Sequence, residues 1–408
     1  MTNIPLLQNK HIVLGVCGSI AAYKVADLAS KLTQAGAQVD CVLTESATKF
    51  IGPVTFAAVT GRAALTDADL WRHDAHVPHV QLGESADLMI IAPATANTIA
   101  KLAHGQADNL LTVTALAARG PIILVPAMDG GMWSNAATQA NVAILRERGF
   151  QICGPALGRM ASGLIGEGRM VETPEILGFA RVVLGERGSL AGKKIVVTAG
   201  GTHEAIDPVR FIGNRSSGKQ GFAIAQAAID RGADVTLIVG ASALPTPFGA
   251  TRVEVESAQQ MCDAVLAACR AADALIMAAA VADFQAAAQA DQKIKKTKDT
   301  VELELRLVRT PDILQAVKEQ REKTSRPHVT IGFAAETQNL IDNATTKLHG
   351  KGLDLIVAND VSASDAGFAV DTNRVTLLDA GGGVEPLPIV SKAQVAEHLL
   401  NRLVALLS

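Results

Sequence analysis

The chain has 408 residues, of which 49% are hydrophobic and 19% charged, and its formal net charge is −3. This composition excludes an intrinsically disordered chain, and it lacks the broad basic surface that nucleic-acid-binding proteins need. At roughly 100–200 residues per domain, the length predicts two or three domains.

The cysteines and apolar runs bear on the cellular compartment. Five cysteines occur at irregular spacing without a CxxC pair, a pattern that indicates neither a disulfide framework nor a zinc site. The N-terminus lacks the features of a signal peptide, and the longest apolar run, at residues 274–282, is too short to cross a membrane. We therefore expect a cytoplasmic protein that binds neither nucleic acid nor a membrane.

In the first half of the chain, short apolar runs alternate with stretches of helical periodicity. The apolar runs predict five strands, at residues 12–16, 38–43, 88–92, 122–126 and 151–153. Helical periodicity is clearest in residues 21–35 and 95–103. Alternating strands and helices predict a parallel, doubly wound sheet with right-handed crossovers.

A polar, glycine-rich segment near the middle of the chain predicts a domain boundary. GERGSLAGK, at residues 185–193, has no apolar period, so we expect a linker there. A second alternating series then predicts strands at residues 195–198, 235–239, 274–279, 329–333 and 353–358, and a last helix at about residues 391–406. Residues 293–307 alternate with period two and are expected to form an exposed strand or hairpin.

The predicted fold class is therefore α/β, with two doubly wound parallel-sheet domains of the Rossmann-like or flavodoxin-like type in tandem. We expect these domains to span residues 1–184 and 194–408. Their topology alone says little about function, which depends on the residues at each site.

Loops that follow predicted strands in the first domain lie where open α/β sheets bind ligands. The first strand ends in GVCGSI (15–20) and a helix follows at once, so glycines and a helix N-terminus are combined in a way that suits a phosphate. Many such turns bind no ligand, and this loop alone leaves both interpretations open. In the second loop Thr95 opens a helix, and helix capping alone would account for it.

Four motifs together resemble the family of FMN-dependent cysteine decarboxylases, which includes the phosphopantothenoylcysteine decarboxylases. The resemblance covers about residues 8–183 and rests on GSIAAYK (18–24), APATANTIAK (92–101), DNLLT (108–112) and PAMDGGMW (126–133). It implies that FMN is held by Gly18, Ser19, Ile20 and Thr44 or Ser46, with help from Ala94 and Thr95.

The same resemblance implies a mechanism. His79 matches the position of the family's essential histidine, and histidine suits proton transfer near neutral pH. In this family the thiol-bearing carbon is oxidised by hydride transfer to FMN, which allows the carboxylate to leave as CO₂. The hydride then returns, and the product is 4′-phosphopantetheine.

Two candidate catalytic residues depart from the family pattern. Asp129 stands where many members have an asparagine that contacts the substrate carboxylate, and an ionised aspartate repels such a group. Ser162 stands where the family has a protonating cysteine, and a hydroxyl is a weaker acid than a thiol. The glycine-rich loop around Ser162 is expected to close over the substrate.

The second domain opens with the densest motif in the chain, GGTHEAIDPVRFIGNRSSGKQG (200–221). Its glycine pair lets the backbone approach a ligand, and the amides and hydroxyls of NRSSGKQG suit a phosphate. Shorter motifs follow at AAAVADF (278–284), KIKK (293–296), TPDIL (310–314), GFAAET (332–337) and AND (358–360). Taken singly, KIKK is typical of a solvated strand, PDIL of a helix start with proline in the first turn, and Asn-Asp of a turn.

In this order the motifs resemble the phosphopantothenate–cysteine ligases over about residues 190–406. Arg210 and Asn214 are implied to contact 4′-phosphopantothenate or its acyl intermediate, and Lys293 to support the cysteine-dependent half-reaction. The resemblance further implies a nucleotide site formed by Ala279, Asp283, Lys293, Pro311, Asp312, Ile313, Leu314, Phe333, Lys347 and Lys351.

The bacterial ligases activate 4′-phosphopantothenate with CTP as co-substrate and then transfer the acyl group to L-cysteine, with Mg²⁺ bridging the triphosphate. The ligase product is the decarboxylase substrate, and both motif sets stand in the order found in bifunctional bacterial proteins of coenzyme A synthesis. The resemblance also implies a homo-oligomer, with trimeric contacts in the flavin domain and dimeric contacts in the ligase domain.

Three alternatives remain open from the sequence. The flavin domain could bind FMN yet turn over poorly because of Asp129 and Ser162. It could instead be a flavin-binding regulatory or assembly module that is indifferent to the loss of His79. The third alternative is a nicotinamide dehydrogenase with two Rossmann-like halves, and the missing GxGxxG motif argues against it.

Overall fold

The computed structural model describes residues 4–71, 77–159, 163–295, 303–336, 339–360 and 370–408. The chain divides into two compact units, Met1–Leu184 (unit 1) and Gly185–Ser408 (unit 2), and each contains its own large sheet. Within these described ranges, no helix has both the length and the apolar character needed to cross a membrane.

Unit 1 is built around a six-stranded parallel sheet. Its strands are β1 (His11–Val16), β2 (Gln38–Leu43), β3 (Leu65–Thr66), β4 (Leu88–Ala94), β5 (Ile122–Pro126) and β6 (Gln151–Ile152), followed by the antiparallel pair β7 (Ala156–Arg159) and β8 (Ile165–Arg169). The sheet order is β3-β2-β1-β4-β5-β6. Because the order reverses between β1 and β4, loops at their carboxyl ends border the crevice where such sheets bind ligands.

Helices connect the strands of unit 1. They are α1 (Ala22–Gln34), α2 (Glu45–Thr48), α3 (Pro53–Thr60), α4 (Pro78–Ser85), α5 (Ala96–His104), α6 (Leu110–Ala117), α7 (Gly130–Trp133), α8 (Ala136–Glu147) and α9 (Thr173–Gly185). Strand β1 shows why its run is continuously apolar. Leu14 packs in a cluster with Leu28 of α1, whereas Val13 packs in a second cluster with Leu111 of α6, so the strand is buried on both faces.

Unit 2 repeats this winding on a larger sheet. Its strands are β9 (Lys194–Ala199), β10 (His203–Ala205), β11 (Phe211–Gly213), β12 (Asp234–Val239), β13 (Ala250–Glu254), β14 (Ala274–Met277), β15 (Phe284–Ala286), β16 (Leu307–Arg309), β17 (Val329–Glu336), β18 (Leu355–Asp360), β19 (Thr372–Asn373), β20 (Val375–Asp379), β21 (Val384–Pro386) and β22 (Val390–Ser391). The large sheet has the order β13-β12-β9-β14-β17-β18-β20-β21. Its first six strands are parallel to one another, β20 is antiparallel to β18, and β21 is antiparallel to β20. The smaller strands form the pairs β10-β11, β15-β16 and β19-β22.

Five helices complete unit 2: α10 (Lys219–Ile229), α11 (Ala258–Cys269), α12 (Ile313–Thr324), α13 (Leu340–Gly350) and α14 (Lys392–Leu407). All ten strands predicted from apolar runs are present, with ends that differ by a few residues, and the predicted fold class is confirmed. Pro311 does not stand in the first turn of α12, because Asp312 is the N-cap and the helix begins one residue later.

The strand predicted at residues 293–307 is wrong over most of the part that the structure describes. The strand β16 begins only at Leu307, where it joins β15 in a short antiparallel ladder, and one further hydrogen bond follows from the N–H of Ala287 to the carbonyl oxygen of Arg306 at 2.8 Å. Leu303 and Leu305 have the alternation of a strand, yet both are exposed. These leucines therefore do not pack on a sheet face, although their spacing is that of a strand.

The segment predicted as a linker, residues 185–193, belongs to unit 2 and packs on the rest of it. Leu190 is buried, and its N–H donates to the carbonyl oxygen of Arg231 at 2.8 Å. The segment thus covers the turn that follows α10.

Candidate functional site

The crevice of unit 1 begins at the turn after β1. A Cβ atom added at Gly18 would lie 2.4 Å from the Cβ of Ser46, which follows β2. Only glycine therefore allows these two loops to meet. Helix α1 starts just beyond, with Ala21 as its N-cap, and alanine has no side-chain group to cap the first N–H groups. An uncapped N-terminus of a 13-residue helix suits an anionic ligand.

Hydroxyl groups line the same edge of the sheet. The N–H of Ala21 donates to Ser19 Oγ at 3.3 Å. Thr44 and Thr95 are the N-caps of α2 and α5, each with its Oγ1 accepting an N–H at 3.3 Å. The capping interpretation of Thr95 is confirmed, so any ligand contact would be an additional role.

The other residues predicted to bind FMN differ in how far their side chains are exposed. The side chains of Ile20 and Ser46 are exposed, and Ile20 has 61% of its surface free. Ala94 is completely buried. It offers no surface to a ligand and instead places Thr95 at the start of α5.

Asp129 lies where the loop after β5 turns into α7. Its carboxylate accepts the N–H of Gly131 at 3.0 Å and so caps this short helix. The N–H of Met128 donates to the carbonyl oxygen of Gly168 at 2.9 Å, which joins the loop to the hairpin of β7 and β8. Ser162 belongs to this hairpin's sequence but lies outside the described residues.

His79 lies in the first turn of α4. The C-terminal end of this helix meets the start of β1, where Ser85 Oγ is 2.9 Å from His11 Nδ1. The N-terminal turn therefore points toward the carboxyl edge of the sheet. His79 is half-buried, and in the described part of the chain its buried Nδ1 has no hydrogen-bond partner.

In unit 2 the carboxyl ends of the central strands open into a cavity of about 880 Å³, within the size range of small-molecule sites. Many of the residues predicted for the ligase lie in its wall. They are Asn214, Ala279, Asp283, Pro311, Asp312, Ile313, Leu314, Phe333, Lys347 and Lys351. Arg210 and Lys293 are not part of this lining.

Two threonines that sequence analysis did not single out shape the cavity wall. Thr198 Oγ1 accepts the N–H of Ala279 at 3.1 Å, and Thr202 Oγ1 accepts the N–H of Ala282 at 2.9 Å. Both threonines are fully buried. They hold the loop after β14 in place. In the sequence, only their position next to the glycine pair Gly200 and Gly201 could have pointed to them as site residues.

Two basic residues of the cavity, Lys347 and Lys351, bond to other residues of its lining. Lys347 Nζ donates to the carbonyl oxygen of Phe333 at 2.9 Å, and Lys351 forms an ion pair with Asp312. Burial raises the pKa of Asp312, but the hydrogen bonds from Lys351 and the N–H of Gln315, together with the positive charges of Lys351 and Lys347, outweigh it, and the pKa lies below its ordinary value. Asp312 also caps α12 by accepting the N–H of Gln315 at 3.0 Å. This carboxylate is thus ionised and fixed.

The glycine-rich turn before α10 forms another side of the cavity. Gly218 has φ +80° and is the N-cap of this helix, which favours glycine there. The side-chain Nδ2 of Asn214 donates to the carbonyl oxygen of Val281 at 3.0 Å, and this bond joins the turn to the loop after β14.

Further polar side chains line the cavity that were not among the residues predicted to form the site, among them Lys219, Arg309, Asn359, Asn373 and Lys392. Asn359 and Asn373 each have a buried Oδ1 atom without a hydrogen-bond partner in the described ranges. Asn359 belongs to the Asn-Asp pair that, taken singly, is typical of a turn, whereas both residues lie in the strand β18 and Asn359 lines the cavity. Buried, unpaired amide oxygens indicate a place where a ligand donates hydrogen bonds.

Comparison with known proteins agrees with this division of the chain. The family model described as "Flavoprotein" matches residues 5–184, and the "DNA/pantothenate metabolism flavoprotein C-terminal domain" matches residues 190–407. The chain is 44% identical to the coenzyme A biosynthesis bifunctional protein CoaBC of Vibrio vulnificus, over 98% of this chain and 99% of that protein. It is 45% identical to the protein of the same name from Mycobacterium tuberculosis, over 98% and 97%.

Solved structures cover one unit at a time. The C-terminal domain of a coenzyme A biosynthesis bifunctional protein CoaBC is 40% identical, with a TM-score of 0.45, and the match covers 54% of this chain and 98% of that one. The FMN-dependent cysteine decarboxylase SpaF is 39% identical, with a TM-score of 0.36, over 40% and 91%.

The two family models and the full-length relatives confirm both resemblances read from the motifs, in the predicted order along the chain. The chain belongs to the family of coenzyme A biosynthesis bifunctional proteins.

Proposed function

We propose that the cavity of unit 2 binds CTP, 4′-phosphopantothenate and L-cysteine and carries out the ligase reaction of this bifunctional enzyme. The observation that supports this most is the set of ten predicted residues in one cavity wall, drawn from several separate loops, helices and strands. Phosphopantothenoylcysteine made there is then decarboxylated to 4′-phosphopantetheine by unit 1.

The ligase reaction has two steps. A carboxylate oxygen of 4′-phosphopantothenate attacks the α-phosphorus of CTP, and pyrophosphate leaves. The amine of cysteine then attacks the acyl carbon, loses a proton, and displaces CMP with its electron pair. Lys347 and Lys351 offset the negative charge of the triphosphate, and Asn214 contacts the acyl group. The roles of Arg210 and Lys293, which lie outside the lining, stay predictions.

Mg²⁺ is proposed to bind mainly through the phosphates of CTP. Magnesium ions in such sites take one or two carboxylates together with substrate phosphates and water. Asp283 supplies an exposed carboxylate in the cavity wall.

For unit 1 we propose FMN binding at the crevice by the turn at Gly18–Ile20, by Thr44 or Ser46, and by Thr95. The residues fit the group, since the turn needs a glycine, a helix N-terminus adjoins it, and hydroxyls surround it. When bound there, FMN supplies reversible two-electron redox chemistry.

The remaining steps of the decarboxylase depend on side chains of unit 1. His79 moves a proton at the substrate, a task suited to a histidine that adjoins the crevice. Asp129 lies at the same edge, on a loop that is joined to the hairpin of β7 and β8. Ser162, in the sequence of that hairpin, is proposed to donate the last proton.

We also propose a cytoplasmic homo-oligomer, with trimeric contacts in unit 1 and dimeric contacts in unit 2. All five cysteines are free thiols, as is usual in a reducing compartment. Large apolar side chains away from the proposed ligand sites are exposed in both units, among them Val54 and Val384, and contacts between subunits would bury them.

The first test is an assay on the purified full-length chain with 4′-phosphopantothenate, L-cysteine, Mg²⁺ and CTP, followed by mass spectrometry. We expect 4′-phosphopantetheine, CO₂, CMP and pyrophosphate. A reaction that stops at phosphopantothenoylcysteine would support the ligase and favour the alternative of a poorly active flavin unit. If neither product forms with CTP or with ATP, the proposal is wrong.

A further inference from the structure

A buried carboxylate lies close to the cavity but has no part in the mechanism described above. Asp207 is 2% exposed, in the turn between β10 and β11. Its Oδ1 accepts the N–H groups of Val209 and Arg210 at 2.8 and 2.9 Å, the pattern of an Asx turn. Its Oδ2 accepts Nε and Nη2 of Arg210 at 2.9 and 2.5 Å. These bonds from Arg210 hold the pKa of Asp207 far below its usual range.

The same carboxylate reaches a segment more than eighty residues away along the chain. The N–H of Ile294 donates to Asp207 Oδ2 at 3.1 Å, and Nη2 of Arg210 donates to the carbonyl oxygen of Ile294 at 3.0 Å. The N–H of Ala290 donates to the carbonyl oxygen of Ile206 at 3.0 Å. Both ends of the segment Ala290–Ile294 are therefore tied to one turn.

Lys293 lies in this segment, and its side chain is exposed. A turn of this kind needs only the two bonds to Val209 and Arg210 for its own geometry. The bonds through Oδ2 serve the contact with Ile294 instead. Since Lys293 is not part of the cavity lining, the position of its segment decides where the ammonium group can act.

We propose that Asp207 is a positioning residue for the cysteine-dependent half of the ligase reaction. Its carboxylate, together with Arg210, fixes the segment Ala290–Ile294 and so the point from which Lys293 works. The inference rests on the proposed role of Lys293 in that half-reaction. Small displacements of a positioned group can slow a reaction by on the order of 10²-fold.

The test separates the two half-reactions in the full-length chain. Asp207→Asn keeps an oxygen for the turn but presents an NH₂ group to Arg210 and to the N–H of Ile294. Without cysteine, we expect pyrophosphate release and acyl-cytidylate formation close to wild type. With cysteine, we expect the acyl cytidylate to accumulate and amide formation to fall by roughly 10- to 100-fold.

Two further variants distinguish positioning from folding. Asp207→Ser keeps a hydroxyl that can bond to the turn N–H groups but cannot reach Ile294, and we expect it to behave like Asp207→Asn. Asp273→Asn is the matched control, because Asp273 also accepts an arginine and a backbone N–H but lies at the opposite end of β14. It should lower stability without changing the ratio of the two half-reactions.

A double-mutant comparison completes the test. If Asp207 acts through Lys293, adding Asp207→Asn to Lys293→Gln should cost little more than Lys293→Gln alone. Additive losses would overturn the inference, as would equal loss of both half-reactions in Asp207→Asn and Asp207→Ser. If Lys293→Gln itself leaves amide formation intact, the proposed role of Lys293 fails and the inference fails with it. If Lys293→Gln slows amide formation but the Asp207 variants form the amide at the wild-type rate, the role of Lys293 stands and the inference about Asp207 is wrong.

Discussion

At the scale of single residues, Asp129 shows how one side chain combines a structural and a chemical task. As N-cap of α7 it accepts the N–H of Gly131, and asparagine caps helices about as well as aspartate. The cap itself therefore does not need the charge. The charge acts on what approaches the crevice of unit 1.

This gives a prediction for Asp129→Asn. Removing a negative charge near the site of a substrate carboxylate should lower the KM for phosphopantothenoylcysteine by about fivefold, the effect of roughly 1 kcal/mol of repulsion at 4 Å in water. Steady-state decarboxylation measures it, and the flavin absorbance of the purified variant checks that the crevice is intact. An increase in KM would mean that Asp129 does not face the carboxylate.

Residue type and neighbours were enough to predict the cap at Thr95, because capping depends on a few adjacent residues. The tasks of Thr198 and Thr202 could not be predicted. Their partners, Ala279 and Ala282, are about eighty residues away and come within reach only because β9 and β14 are neighbouring parallel strands.

At the scale of elements, a charged group of side chains joins β1, β2 and the turn after α3 at the amino end of the sheet in unit 1. His11 Nε2 is 2.6 Å from Asp40 Oδ2, and Arg62 Nε donates to Asp40 Oδ1 at 2.6 Å. The hydrogen bond to Asp40 raises the pKa of His11 against the lowering effect of burial. Burial raises the pKa of Asp40, but the bonds from His11 and Arg62 bring it to about 2.

The pKa shift of His11 predicts a pH dependence of stability. Because the folded state favours protonated His11, its contribution is complete below the unfolded-state pKa of about 6.5 and is lost as pH rises through the folded-state pKa. Asp40 contributes the reverse, with stability lost only as pH falls toward 2. Urea unfolding at a series of pH values, followed by tryptophan fluorescence, measures this in unit 1, which contains both tryptophans, Trp71 and Trp133.

The control for this measurement is His11→Gln, which lacks the titrating group. Its stability should be lower at pH 6 and should change less between pH 6 and pH 8. A wild-type curve that stays flat in this range, or a variant curve as steep as wild type, would contradict the prediction.

Elements also show where a periodic pattern misleads. The alternation in residues 303–307 has the period of a strand, and a strand is stabilised when one face is buried. Leu303, Leu305 and Leu307 are all exposed, and among these residues only Leu307 belongs to the strand β16. A pattern indicates which residues share a face but not whether another surface covers it.

At the scale of the whole molecule, two units carry the two activities on separate hydrophobic cores. A change confined to one site should therefore leave the other activity intact. His79→Asn should slow decarboxylation by roughly 10²-fold or more while phosphopantothenoylcysteine forms at the wild-type rate. Product masses over time measure both steps.

His104→Asn, an exposed histidine in the same unit, is the matched control and should leave both steps unchanged. The flavin absorbance of purified His79→Asn should match wild type, which would show that the crevice is intact. Normal decarboxylation in His79→Asn would instead favour the alternative in which this histidine has no role.

The amino-acid sequence by itself determined the strands, the order of the two units and the family of each, because hydrophobic periodicity, turn residues and motifs are properties of neighbouring residues. Tertiary structure alone decided which loops share the cavity, that Arg210 and Lys293 lie outside its lining, and that Asp207 binds Ile294. These arrangements involve residues that are far apart along the chain. They follow from the order and register of the sheet, which no local pattern specifies.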